Sequence, residues 1–60
     1  MLSKLKLVRM QKGLKAKEVA IKLKVSAGYI SKLENGSAVI TPDILTKLAM
    51  VYGVYAKELI

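Results

Sequence analysis

Residues 16–36 read AKEVAIKLKVSAGYISKLENG, and their spacing decides the fold. Val19, Ala20 and Leu23, then Ile30 and Leu33, recur three or four positions apart, the period of a helix face rather than a strand. One helix over Ala16–Leu23 turns Val19, Ala20 and Leu23 inward. Lys24-Val25 is too short for anything but a tight link, and Ser26 is a residue type that caps a following helix, Ala27–Glu34. On that helix Ile30 and Leu33 face the interior, while Ala27, Gly28, Ser31 and Lys32 make an outward stripe. Asn35-Gly36-Ser37 signals a turn.

Working outward, Ser3 is a candidate N-cap for a first helix carrying Leu5, Val8 and the stem of Lys12 on one face. Lys12-Gly13 closes it, and Leu7 and Met10 fall off the inner face. After the turn, Ala38-Val39-Ile40 crosses to Thr41-Pro42-Asp43. Threonine as cap, proline at the first helical position and an acid in the first turn make a strong helix start. Leu45, Leu48, Ala49 and Tyr52 then form one apolar stripe, Gly53 stops the helix, and Val54 leads to a last short helix, Ala56–Leu59. The expectation is one all-α domain over residues 1–60, with five short helices and brief connections.

Composition narrows the chemistry. The 60 residues contain no cysteine and no histidine, which removes disulfides, thiolate metal sites and the commonest general base. No paired carboxylates or phosphate-cradling glycine loop stand in their place, so neither an enzyme, a metal, a cofactor nor a small-molecule ligand is expected. Lysine or arginine interrupts almost every turn, so no membrane span is expected, and Met1–Lys6 does not open a signal peptide. A cytoplasmic protein is the expectation. The formal charge is +7, and its placement is uneven: residues 1–32 hold nine basic residues and one acid, Glu18. The remaining 28 residues hold two basic residues and three acids. A one-sided basic field suits an anionic partner, either nucleic acid or an acidic surface.

Two short helices joined by a tight turn have the length of a helix-turn-helix. Further residues carry a closer likeness: Arg9, Gly13-Leu14, Val19-Ala20, Leu23, Val25-Ser26, Tyr29 to Gly36, Thr41-Pro42, Leu48-Ala49 and Gly53-Val54. In this order and spacing, Leu5 to Ile60 resembles the Cro and lambda-repressor type of helix-turn-helix, the XRE family. The resemblance implies a five-helix lambda-repressor-like domain whose helices 2 and 3 form the motif. Helix 3 would enter the major groove of double-stranded DNA while helix 2 crosses the backbone.

On that reading Ser26, Ala27, Gly28 and Lys32 meet base edges. Lys15, Ala16 and Lys17, with free amides opening helix 2, contact the phosphate backbone, as do Tyr29, Asn35 and Ser37. Lys22 and Lys24 stand either with this set or as solvating charges. The family pairs Arg9 with Glu34, an acid at a helix C-terminus where the macrodipole disfavours it. Members commonly act as homodimers on inverted-repeat operators, and Val54, Tyr55 and Ile60 are the candidate dimer surface. The implied role is a transcriptional regulator, a repressor of phage, plasmid or bacterial type.

Four positions, in three places, depart from the family pattern. Ala16 replaces a common phosphate-binding glutamine, Lys24 replaces a turn glycine, and Ala27-Gly28 are small where glutamine or arginine is usual. These departures keep open a protein-interaction module on the same fold, with weak or non-specific DNA binding. A lysine-rich membrane helix is disfavoured by the caps and turns that divide the chain.

Overall fold

The computed structural model describes residues 3–60. Four α-helices follow in order: α1 (Lys4–Gln11), α2 (Ala16–Leu23), α3 (Ala27–Asn35) and α4 (Pro42–Tyr52). The expected fifth helix is a single 3-10 turn, Ala56–Leu59. Four residues are too few to set up repeating i→i−4 bonds, so this corrects the five-helix expectation. Helix α3 runs one residue further than its spacing suggested, to Asn35.

The starts are side-chain caps. The hydroxyls of Ser3, Ser26 and Thr41 accept from the backbone N–H groups of Lys6, Tyr29 and Ile44, at 3.2, 3.1 and 3.3 Å. Each satisfies an amide that has no partner inside its own helix.

The ends share one device. At every α-helix the backbone N–H of Leu14, Val25, Ser37 or Val54 donates to the carbonyl five residues earlier, at 3.1, 2.9, 2.9 and 3.1 Å. That closure needs the preceding residue in the left-handed region. Gly13, Gly36 and Gly53 adopt it at φ 69°, 85° and 70°, and Lys24 does so at φ 59°. Only Lys24 carries a Cβ into the crowded conformation. Lys24→Gly should therefore raise stability by about 0.5–1 kcal/mol, the relief of Cβ crowding exceeding the extra entropy of an unfolded glycine. A urea titration against the parent chain checks this.

Ten hydrophobic residues form the core, with Val19, Ile30, Leu33 and Leu48 at its centre. Helix α2 packs on α3 and α4, while α1 packs on α3 and on the C-terminal 3-10 turn. Ala20, 3% exposed, lets α2 and α3 approach closely, so their crossing is set by a methyl group. Two details differ from the helical spacing. Ile44 is buried and Leu45 only half-buried, since the apolar face of α4 is wider than one stripe. Lys12 is exposed at the C-cap of α1, where its stem joins no inner face.

Tyr52 presents a further consequence of close packing. It is 3% exposed, and its hydroxyl is buried without a hydrogen-bond partner among the described residues. Burial, and the nearby Glu34 carboxylate after it, push the phenol up to about 12, against the opposing charge of Arg9. An unfolded tyrosine ionises near pH ~10, so above that pH the unfolded chain sheds its proton first. The contribution of Tyr52 is intact below pH ~10 and declines progressively up to about 12. Tyr52→Phe should remove that share of the alkaline decline and stabilise the neutral chain by about 1 kcal/mol, because it deletes an unpaired buried hydroxyl. Paired melts at neutral and alkaline pH give both quantities.

Candidate nucleic-acid interface

The outer side of α3 is built from residues the core does not use. Ser26, Ala27, Gly28, Ser31 and Lys32 are all exposed, whereas Ile30 and Leu33 on the same helix are buried. The side chains at the front of this stripe are small, so its backbone is unshielded there. A Cβ added at Gly28 would meet only Ser26 Oγ, at 3.9 Å. Glycine is thus not demanded by packing, and a longer side chain has open space.

Tyr29, assigned to the DNA backbone with Asn35 and Ser37, differs from them in burial. Its ring is half-buried and packs against the core, while Asn35 and Ser37 are exposed at the end of α3. The Asn35 carbonyl oxygen accepts the Ser37 N–H at 2.9 Å, folding the turn and leaving the amide donors of Asn35 outward.

The start of α2 corrects one expectation. Lys15 and Lys17 are exposed and Ala16 is half-buried against the core. The amides there are not all free, because the Glu18 carboxylate accepts the Lys15 N–H at 2.8 Å. A lysine side chain has no acceptor, so this is one half of a capping box. The i, i+3 spacing of Lys15 and Glu18 could have revealed it, but the serine or threonine that normally marks the motif is missing. A negative charge therefore stands at the helix end assigned to phosphate. Glu18→Gln keeps an acceptor for Lys15 and removes that charge; DNA affinity should rise about three- to tenfold, measured by fluorescence anisotropy on one duplex.

Behind the stripe, Arg9 and Glu34 lock α1 to α3. Arg9 Nε donates to Glu34 Oε2 at 2.6 Å and Nη2 to Oε1 at 3.1 Å, a two-pronged pairing. Nη1 donates to the Leu14 carbonyl at 2.9 Å. The side chains are 12% and 8% exposed. Hydrogen bonding to Glu34 raises the Arg9 pKa above its ordinary value, despite the burial that opposes it.

Of the proposed dimer residues, Tyr55 and Ile60 are 76% and 73% exposed, but Val54 is half-buried against the core. Val54 follows the left-handed Gly53 and packs as the hydrophobic partner of that closure. Val39, 80% exposed, is an apolar residue the spacing argument passed over as a crossing segment. Among the described residues no helix is long and apolar enough to cross a membrane, and no group of three or more acidic, histidine or cysteine residues is placed to hold a metal.

A family model described as helix-turn-helix matches residues 5–59, nearly the whole chain. No curated protein and no solved structure matches the sequence significantly. The family is one of DNA-binding regulators, and the matched span contains α2, the Lys24-Val25 turn and α3. The chain belongs to the XRE-type helix-turn-helix family.

Proposed function

We propose that this protein binds double-stranded DNA as a transcriptional repressor, with α3 in the major groove and α2 across the phosphate backbone. The observation that carries this reading is the exposed stripe Ser26, Ala27, Gly28, Ser31 and Lys32 on a helix whose other face is fully committed to the core. Lys32 donates to guanine O6 and N7, and the Ala27 methyl meets a thymine methyl. Lys15, Lys17 and the amides at Ala16 hold phosphates on one side; Tyr29, Asn35 and Ser37 hold them on the other. Arg9 and Glu34 touch no DNA and aim the helix that does.

Small residues at the front of α3 bring its backbone close to the bases but give few direct contacts. Much of the affinity then comes from phosphates and from DNA shape. Two copies related by a twofold axis, joined through Tyr55 and Ile60, read inverted half-sites about one helical turn apart. Occupying a promoter is enough to repress it, and the protein works in the cytoplasm where such DNA lies.

Selection of bound sites from random duplex DNA, followed by footprinting, tests the reading. The expected result is an inverted repeat protected by the parent chain and lost with Lys32→Ala. Equal recovery of unrelated sequences would instead assign the fold to protein interaction.

A further inference from the structure

Away from the DNA stripe, a groove of about 300 Å³ runs between the end of α2 and the outer side of α4. Leu23, Met50 and Val51 line it with apolar surface, and Lys22, Lys24 and Lys47 line it with charge. Lys22 and Lys24, left open above between phosphate contact and solvation, belong to it; none of the other residues assigned to DNA does. Met50 is 77% exposed, an unbranched and adaptable side chain left in water. Among the described residues Lys22 and Lys24 have no ionic partner, and Lys47 has only an exposed i, i+4 contact with Asp43 at 3.4 Å.

We propose that this groove receives an acidic amphipathic segment of a partner protein, with an apolar side chain against Leu23, Met50 and Val51. Its carboxylates face Lys22 and Lys24 on one side and Lys47 on the other. The charge distribution selects this occupant. Lysines stand on both helices that form the groove, so a ligand with one anionic head satisfies one side and leaves the other unpaired. A segment with acids flanking an apolar row satisfies both, in the helix-in-groove mode. Nucleic acid supplies the charge but nothing to cover Met50. The volume, at the low end of the about 300–1,000 Å³ of typical ligand sites, suits one or two large apolar side chains. The proposal stands apart from the DNA reading, because it gives Lys22 and Lys24 to the partner segment and uses none of the residues on which that reading rests.

The test is an amide-shift NMR titration of the 60-residue chain with a blocked synthetic peptide of roughly four helical turns, leucines at i, i+4 and i+7 and glutamates on both flanks. Expected are shifts confined to Lys22–Lys24 and Lys47–Val51, and binding weakened at least tenfold by Lys22→Glu and by Met50→Ser. Both residues are exposed, so the variants keep the parent melting curve. Equal binding of the same peptide with lysine flanks would overturn the proposal. So would shifts centred on Ala27–Lys32, which would make the peptide a DNA mimic. Occupation of the groove by dodecanoate but not by the peptide would assign it to a small amphiphile. Groove shifts that appear on concentrating the protein alone, with no response to the peptide, would assign it to a second copy.

Discussion

Glu34→Ala should remove a large part of this protein's stability at room temperature. The carboxylate accepts two hydrogen bonds from a guanidinium that is itself 12% exposed, and its loss strands Arg9 with the Leu14 carbonyl alone. Breaking a buried pair by removing one member costs about 3–5 kcal/mol, and residual solvent around Arg9 brings the expectation to about 2–3. A core of this size supplies only about 3–5 kcal/mol in total, so the loss is most of the stability. Urea titration followed by far-UV circular dichroism measures it. Replacing both members, Arg9→Met with Glu34→Leu, should recover more than half, because no charge is then stranded. A loss below about 0.5 kcal/mol in Glu34→Ala would reduce the pair to an ordinary surface contact. The pair also bears on function: Glu34 lies in the last turn of the helix offered to DNA, so the double replacement should bind DNA more weakly than its recovered stability suggests.

DNA affinity should fall about a thousandfold between roughly 50 and 200 mM salt. Lys15 and Lys17 of two subunits would neutralise about four phosphates, the two Lys32 charges in the groove would displace counterions equivalent to about two more, and each such equivalent contributes about −0.9 to the slope of log affinity against log salt. A slope near −5 over a fourfold change in salt gives about three decades. Lys17→Ala on both subunits should flatten the slope by about 2 and weaken all duplexes alike. Lys32→Ala should also relax preference at one base pair of each half-site, by about 1–3 kcal/mol. Anisotropy titrations on a selected site and a scrambled one separate the two effects. A slope shallower than about −2 would mean that the lysines of α2 do not reach phosphate.

Helix class, three of the four α-helix starts and three of the four α-helix ends were legible from local chemistry, the end of α3 to within one residue. Ser3, Ser26 and Thr41 bond amides only three residues away, and Gly13, Gly36 and Gly53 meet a backbone demand within one turn. Lys24 was legible only through the family resemblance, as a residue standing where the family often has glycine. The last turn was legible in position but not in type. A four-residue segment lacks the length that separates an α-helix from a 3-10 turn, and packing against α1 and α4 holds it.

The stripe of α3 also follows from sequence, because Ile30 and Leu33 must face the core and so turn Ala27, Gly28, Ser31 and Lys32 away. What periodicity could not supply is which neighbouring groups compete for a surface. The Glu18 carboxylate at the Lys15 amide, the inward turn of Val54 and the half-buried ring of Tyr29 depend on neighbours in space. Likewise the groove exists only because α4 returns against α2, placing Lys47 and Met50 beside Lys22 and Lys24, residues more than twenty positions apart. Residues 16–36, by themselves, determined that two helices meet at a tight turn and which side of the second is left to a partner. Tertiary structure alone decided how that helix is held and what else the molecule exposes: hydrogen-bond geometry and burial depend on distances between segments, which no local spacing encodes.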